Sequence, residues 1–195
     1  MNKKRAVKLK LTILAAILIL LSASVTYAEE ESGKYVPTRK GAAVTAGMSY
    51  DPNSDFDFYM LSGFYLFDYD RVWKHRAPEN LRFKVEGTAG VARDYKTRFV
   101  TSVNMFALHY LDFLKTGKLK PYVEGGIGII YTDFQVSGQG SRINFNPQIG
   151  LGTEIEAGSH ETFFFAVRFH HLSNANLKDE NRGVNSVMCM FGCYF

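Results

Sequence analysis

The feature that most restricts the fold of this chain is a series of eight segments, each roughly ten residues long, that alternate apolar and polar side chains. Stretches of turn-forming composition separate them, among them DPNSD, DYKTR and SGQGSR. The segments cover approximately residues 41–50, 56–66, 81–92, 98–110, 121–132, 143–156, 162–173 and 184–195. The sequence shows no long helical periodicity, so the pattern predicts an all-β protein with eight antiparallel strands.

The stretch NFNPQIGLGTEIEA shows the alternation clearly. Phe145, Ile149, Leu151 and Ile155 fall on one face of a strand, whereas the other face carries only polar residues and glycines. In a soluble sandwich two such apolar faces meet in a core, and in a membrane barrel they face lipid while the polar faces fill the lumen. Periodicity alone fits both architectures.

The first residues favour export of the chain. Five cations precede an apolar run of roughly eleven residues, and small residues follow up to Ala28, which is the pattern of a cleaved secretory signal. We therefore predict a signal peptide over residues 1–28 and a single domain over residues 29–195. The five cations carry the basicity of the chain, because their removal changes the formal net charge from +4 to −1. Nothing in the mature sequence then indicates nucleic-acid binding, which requires a basic face.

Three features together favour the membrane barrel over the sandwich. The chain is predicted to be exported, its segments match the roughly 9–11 residues of a tilted membrane strand, and its last segment, VNSVMCMFGCYF, is aromatic. A terminal phenylalanine on an amphipathic last strand resembles the recognition signal of bacterial outer-membrane barrels. We therefore expect an eight-stranded antiparallel transmembrane β-barrel of the outer membrane. Arg168 lies on the inward parity of the seventh segment, and we expect a structural ion pair there with Glu154 or Glu156.

The seventh and eighth segments carry polar groups on the face that should meet lipid. If Arg168 points inward, parity sends Phe163, Phe165, Val167 and Phe169 outward, and with them His171 and Ser173. In the eighth segment, Asn185 shares the outward parity of Phe191. An unpaired hydroxyl or imidazole in an apolar environment costs roughly 1–3 kcal/mol, so these groups should bond to one another or lie at the lipid headgroups.

Such a group of residues suits nucleophilic catalysis. Serine attacks a carbonyl only when a base takes its proton, and His171 is within reach of Ser173 as that base. Asn185 is the candidate that orients the imidazole. This role requires an even register between the two strands, and a sum of 356 for opposed residue numbers would set Asn185 opposite His171. A histidine two residues before a serine is common by chance, and an interfacial structural pair is the alternative.

The residues around this pair carry a resemblance. FFFAVRFHHLSNANLKDENRGVNS resembles the signature of the lipid A 3-O-deacylase (PagL) family of eight-stranded outer-membrane barrels. The matching elements are His171, Ser173, Asn174 and Ala175, then Asn181 and Gly183, and the closing aromatic strand; they cover roughly the last 35 residues. The resemblance implies ester hydrolysis of an acyl chain from lipid A in the outer leaflet, with His171 as base and Ser173 as nucleophile.

The sequence departs from this family at the third catalytic position, where Asn185 aligns with the usual glutamate. The outer-membrane phospholipase A family is similar around its own site and uses a later asparagine as orienter, so a phospholipase is the enzymatic rival. Barrels of that family have twelve strands, for which this chain is too short. A non-enzymatic structural barrel is the rival from another class of protein.

The remaining expectations concern the loop, the ligands and the partners. Asn174, Asn181, Gly183 or backbone amides of the loop are the candidate oxyanion donors, and Lys178 and Arg182 are more typical of solvated loop charges than of a phosphate site. We expect no cofactor and no metal. The expected partners are lipid A of lipopolysaccharide as substrate and the outer-membrane lipids, with a homodimer as the candidate oligomer.

Overall fold

The computed structural model describes residues 36–52, 55–73, 76–157 and 162–195. The predicted signal over 1–28 and the predicted start of the domain at 29 lie outside these residues and stay predictions. The strands are β1 (Arg39–Asp51), β2 (Asp57–Asp68), β3 (Leu81–Arg93), β4 (Thr97–Tyr110), β5 (Leu119–Thr132), β6 (Ile143–Phe145), β7 (Gln148–Glu156), β8 (Thr162–Leu172) and β9 (Val184–Tyr194). A helix α1 (Tyr69–Trp73) follows β2, and a 3₁₀ turn (Asp112–Leu114) follows β4. Within the described ranges, no helix has the length and apolar character needed to cross a bilayer.

The strands form one closed antiparallel barrel. Each of β1 to β5 pairs with the next, β5 pairs with β7, β7 with β8, and β8 with β9. Pairing of β9 with β1 closes the ring. β6 and β7 pair with β5 one after the other along the same edge. They therefore count as one interrupted strand, and the barrel has eight strand positions. The predicted eight-stranded antiparallel barrel is confirmed.

The sixth predicted segment, 143–156, is interrupted at Asn146 and Pro147. Proline lacks the N–H that a sheet ladder requires, so pairing stops there. On the far side of the break, Phe145 and Ser173 exchange two backbone hydrogen bonds, 2.8 Å and 3.0 Å long, and the Pro147 carbonyl accepts from the His171 N–H at 3.0 Å. Hydrogen bonds from Phe145 of β6 and from Pro147 in the break therefore hold the backbone of His171 and Ser173 in place.

Alternation along β8 separates the lipid-facing side from the lumen. Phe165 and Phe169 are 44% and 55% exposed on the outer face, whereas Arg168 is 3% exposed inside. Phe163 and Val167 share the outward parity. The outer surface is therefore apolar, and Arg168 lies in the lumen as predicted.

Side chains fill the lumen in three layers. One apolar cluster lies near the rim that carries the start of β1 and the end of β9. It comprises Ala43, Phe64, Leu66, Leu108, Tyr110, Tyr122, Phe164, Ala166, Met190 and Tyr194. A second cluster lies near the opposite rim and comprises Phe56, Phe58, Ala92, Val100, Ile130, Phe134, Leu172, Val184 and Met188. Buried polar side chains lie between the two clusters. An interior filled by side chains is expected for a barrel of eight strands.

Arg168 lies at the centre of the polar layer. Its guanidinium donates to both carboxylate oxygens of Glu86 on β3, at 2.7 Å and 2.9 Å, and to Glu124 on β5 at 2.7 Å. Lys84 donates to the other oxygen of Glu124. All four side chains are less than 5% exposed. Two buried cations thus face two buried carboxylates, which keeps the layer electrically balanced.

The predicted pairing of Arg168 with Glu154 or Glu156 is wrong. In the observed register Glu154 lies opposite Phe164, four residues along β8 from Arg168, which corresponds to about 13 Å. Glu154 instead accepts from Arg39 at 2.9 Å, and Glu156 is exposed. Arg168 finds its carboxylates across the lumen rather than on the adjacent strand.

The connection between β2 and β3 had no assignment from sequence. In the structure β2 continues to Asp68 and α1 follows. At the end of the connection, the Asn80 carbonyl accepts from the Tyr110 N–H at 2.9 Å, and the Asn80 side chain donates to the Tyr110 carbonyl at 3.1 Å. These contacts fix the end of the connection to the rim that carries the start of β1 and the end of β9.

Candidate active site

The polar group predicted on the outer face is assembled at the rim opposite the one that carries Arg39 and Tyr194. Asn185, near the start of β9, is directly opposite His171, near the end of β8, which is the even register that a shared face requires. Ser173 follows the last residue of β8 on the same parity. His171, Asn185 and Ser173 are all partly exposed.

Two hydrogen bonds join these three side chains. His171 Nδ1 lies 2.5 Å from Asn185 Oδ1, and His171 Nε2 lies 2.9 Å from Ser173 Oγ. Since an amide oxygen only accepts, His171 carries its proton on Nδ1, and Nε2 accepts from the Ser173 hydroxyl. The hydroxyl thus donates to one nitrogen of a neutral imidazole whose other nitrogen is held by a hydrogen bond. This is the arrangement of an activated nucleophile.

Sequence reasoning missed a fourth residue, Asp51. The Asn185 amide nitrogen donates to Asp51 Oδ2 at 2.8 Å, and Arg182 donates to Asp51 Oδ1 at 2.8 Å. Asp51 lies in the stretch DPNSD, which has the composition of a turn. An acidic residue at the end of the first strand is the only signal in the sequence, and nothing in it indicates a contact with Asn185.

A register shift brings Asp51 to the site. Along β1 the outward residues have even numbers, and Met48 and Tyr50 are 58% and 54% exposed. The pairing with β9 shifts between Ser49 and Asp51, so that Asp51 is opposite Asn185. A β-bulge of this kind inserts one residue and reverses the parity that follows. The loop beyond is fixed by Ser49, whose N–H donates to the Phe56 carbonyl at 2.8 Å.

The loop of residues 174–183 joins β8 to β9 and is braced by two of the predicted oxyanion candidates. The Asn174 amide nitrogen donates to the carbonyls of Gln139 and Glu180 at 2.9 Å and 2.6 Å. Asn181 Oδ1 accepts from the Asn174 N–H at 2.7 Å, and its nitrogen donates to Asn176 at 2.7 Å. Both side chains therefore determine the shape of the loop.

Gly183, the third candidate, lies against the imidazole. A Cβ at this position would be 2.7 Å from His171 Cε1 and 2.8 Å from the Leu172 carbonyl oxygen. Real Cβ atoms do not approach other atoms so closely. The ring of His171 can occupy its position only because residue 183 has no side chain.

A second loop, residues 133–142 between β5 and β6, packs on the first. The Gly138 carbonyl accepts from the Arg182 N–H at 2.6 Å, and the Gln139 carbonyl accepts from Asn174. Gly138 and Gly140 have left-handed φ angles of 79° and 70°, which favour glycine. The loop that follows Ser173 is thus held by a neighbouring loop as well as by its own hydrogen bonds.

Apolar residues lie beside His171 and Asn185 on the outer face of the barrel. A depression of about 320 Å³ beside His171 and Asn185 is lined by Tyr50, Ile149 and Phe169, together with Pro147, Gln148 and His170. Ile149 and Phe169 are 65% and 55% exposed on the outer face. The exposed apolar side chains of Ile149 and Phe169 therefore lie directly beside His171 and Asn185.

The other histidines of the described chain lie apart from this group. His170 is 4% exposed inside the lumen, where its ring packs edge-on against Phe58. His109 contacts Asn80 at 3.2 Å near the opposite rim. His75 and His160 lie outside the described residues. Lys178 is exposed on the loop, while Arg182 is engaged with Asp51.

Comparisons with known proteins identify the family of this chain. The family model of the lipid A 3-O-deacylases (PagL) matches residues 63–194. This range includes His171, Ser173 and Asn185 but not Asp51. A curated relative, the lipid A deacylase PagL of Pseudomonas aeruginosa, is 38% identical over 71 residues. That alignment covers 35% of this chain and 39% of the relative.

Solved structures resemble the barrel as a whole. The crystal structure of the outer membrane enzyme PagL superposes with a TM-score of 0.54 at 22% identity, over 78% of this chain and 97% of that one. Neisserial surface protein A superposes with a TM-score of 0.56 at 16% identity, over 80% of this chain and 94% of that one. At these identities the likeness is one of fold.

Proposed function

This chain belongs to the lipid A 3-O-deacylase (PagL) family, and we propose that it hydrolyses the ester of a hydroxyacyl chain at the 3-O position of lipid A. Ser173 is the nucleophile, His171 the base and Asn185 the residue that orients the imidazole. The observation that carries this proposal is the pair of hydrogen bonds from His171 to Ser173 and Asn185 on the lipid-facing surface of the barrel.

The first half of the reaction acylates the serine. Ser173 Oγ attacks the ester carbonyl carbon while His171 Nε2 takes the hydroxyl proton. The tetrahedral intermediate collapses by breaking the bond to the sugar oxygen, which receives that proton from Nε2. Lipid A leaves with a free 3-hydroxyl, and the hydroxyacyl group remains on Ser173.

The second half restores the serine. His171 Nε2 takes a proton from water, and the water oxygen attacks the acyl carbonyl carbon. The bond between that carbon and Ser173 Oγ then breaks, and Ser173 Oγ takes the proton back from Nε2. A hydroxy fatty acid is released. In both halves Asn185 Oδ1 accepts from Nδ1, so the ring keeps one orientation and its positive form gains a hydrogen bond.

The oxyanion that forms in each half requires donors from the loop of residues 174–183. Both hydrogens of the Asn174 side-chain amide already donate to carbonyls of the loops. The better candidates for the oxyanion donor are therefore Asn181, Gly183 or a backbone amide near Asn176. The loop contacts described above hold these donors in place before substrate binds, which is the property that electrostatic stabilisation depends on.

The membrane supplies the substrate. As a member of this family with an apolar outer surface, the protein resides in the bacterial outer membrane, and a periplasmic amino terminus directs the rim carrying Ser173 to the outer leaflet, where lipid A lies. The cleaved signal over 1–28, the single barrel domain over 29–195 and a homodimer as the oligomer are parts of this proposal.

The test uses the purified barrel with two substrates, lipid A carrying a 3-O-linked hydroxyacyl chain and phospholipid vesicles. Mass spectrometry should show loss of one hydroxyacyl group from lipid A. Ser173→Ala and His171→Ala should each lower turnover by several orders of magnitude, because the two residues act as a unit. Loss of acyl chains from phospholipid alone would favour a phospholipase, and no change in either lipid would favour a structural barrel.

A further inference from the structure

The carboxylate of Asp51 contacts Asn185, the residue that orients His171 in the proposed mechanism. It accepts from Asn185 Nδ2 with one oxygen and from Arg182 with the other, both at 2.8 Å. Its side chain is 41% exposed, as is typical of a group at the rim. The catalytic mechanism proposed above assigns no role to Asp51.

The side-chain amide of Asn185 can present either its oxygen or its NH₂ group to His171, whereas a carboxylate presents an oxygen in both orientations. The asparagine side chain ends in an oxygen and an NH₂ group of almost the same shape. If the amide turned over, NH₂ would face His171 Nδ1, which would then have to accept. The imidazole proton would move to Nε2, and Nε2 could no longer accept from the Ser173 hydroxyl. One orientation of the amide supports the base, and the other abolishes it.

Asp51 selects the orientation of the Asn185 amide in which the oxygen faces His171. An ionised carboxylate has only acceptors, so it bonds to the NH₂ group of Asn185 and repels the amide oxygen. Arg182 has only donors and holds the second carboxylate oxygen. The direction of every hydrogen bond from Arg182 through Asp51, Asn185 and His171 to Ser173 is thereby fixed.

We propose that Asp51 is a positioning residue that sets the orientation of the Asn185 amide and, through it, the tautomer of His171. Asp51 and Asn185 together supply what a single carboxylate would supply at position 185. This inference rests on the proposed function, in which His171 is the base for Ser173.

The test is a double-mutant cycle of Asp51→Asn and Asn185→Glu, assayed on lipid A. Asp51→Asn should lower kcat by about 10- to 100-fold, as loss of a supporting partner typically does, with KM little changed because no contact with substrate is lost. In the Asn185→Glu background the same change should not lower kcat, since a carboxylate accepts from His171 in either orientation and the change also removes a like charge beside it. Wild-type kcat for Asp51→Asn, or an equal loss in both backgrounds, would overturn the proposal.

Asp133→Asn is the matched control. Asp133 pairs with Arg142 at 3.0 Å near the same rim, and both side chains are about half exposed. This change removes an ion pair of the same kind that does not contact the catalytic group, so kcat should stay at the wild-type value. An equal loss in Asp133→Asn would mean that Asp51 acts only through the general order of the loops.

A spectroscopic measurement keeps the proposal testable if Asn185→Glu does not fold. In ¹⁵N-histidine NMR, with His171 assigned by comparison with His171→Gln, wild-type protein at high pH should show the proton on Nδ1. Asp51→Asn should shift the tautomer towards Nε2. An unchanged tautomer refutes the role of Asp51, whereas full activity of Ser173→Ala refutes the proposed function itself.

Discussion

Replacing Gly183 with alanine should impair catalysis by displacing the His171 ring. The new Cβ would lie 2.7 Å from His171 Cε1, so about 0.7 Å of movement is needed to reach an ordinary contact of 3.4 Å. The Leu172 carbonyl oxygen, 2.8 Å from the same Cβ, belongs to the backbone and yields less easily than a side-chain ring. The imidazole must therefore yield, and its bonds to Ser173 and Asn185 lengthen.

The size of the effect follows from the geometry of attack. Misplacement by about 1 Å costs on the order of 100-fold in rate, so we expect kcat to fall by about 10- to 100-fold. Alanine keeps the backbone N–H, and a loss of rate will therefore not reflect a lost oxyanion donor. Folding should be retained, because the clash lies at the rim and Gly183 has no left-handed φ angle.

The assay measures release of hydroxy fatty acid from lipid A, with urea unfolding in detergent as the measure of stability. Gly125→Ala is the control, since a Cβ at Gly125 on β5 would meet nothing within 4 Å. We expect wild-type turnover for this control. Wild-type turnover for Gly183→Ala as well would show that the ring position seen here is not needed for catalysis.

Two further predictions concern Asn185 and Arg168. Asn185→Ala should reduce turnover less than Ser173→Ala, because the nucleophile and base remain, and Asn185→Glu should retain or raise it; wild-type turnover in Asn185→Ala would remove this residue from the mechanism. Arg168→Met should lower the free energy of unfolding by about 3–5 kcal/mol, because Glu86 and Glu124 lose a buried partner. The exposed ion pair of Arg142 provides the comparison, and Arg142→Met should cost at most about 1 kcal/mol in the same urea titration.

The fold could be predicted from the sequence because its determinants are local. A barrel strand needs only alternation, suitable length and turn residues at its ends, and each of the eight segments carries these. The interruption at Pro147 is a local property too, since the missing N–H is visible in the sequence. The partners of Arg168 are not local, because they depend on which strands face each other across the closed lumen.

The site was predictable to the extent that it depends on one hairpin. His171, Ser173 and Asn185 share a face by parity alone, provided that the register between β8 and β9 is even. Asp51 could not be found in this way. Parity counted along β1 points residue 51 into the lumen, and only the irregularity between Ser49 and Asp51 turns it outward. Bulges depend on the pairing of two strands distant in sequence, which no single segment encodes.

The filled lumen has an electrical consequence. The cavity within the polar layer between the two apolar clusters has a volume of about 20 Å³, which is room for about one water molecule and too little for a hydrated ion. A planar bilayer that contains this barrel should therefore keep its resting conductance under an applied voltage. Discrete single-channel currents from the purified barrel would contradict this interpretation of the lumen.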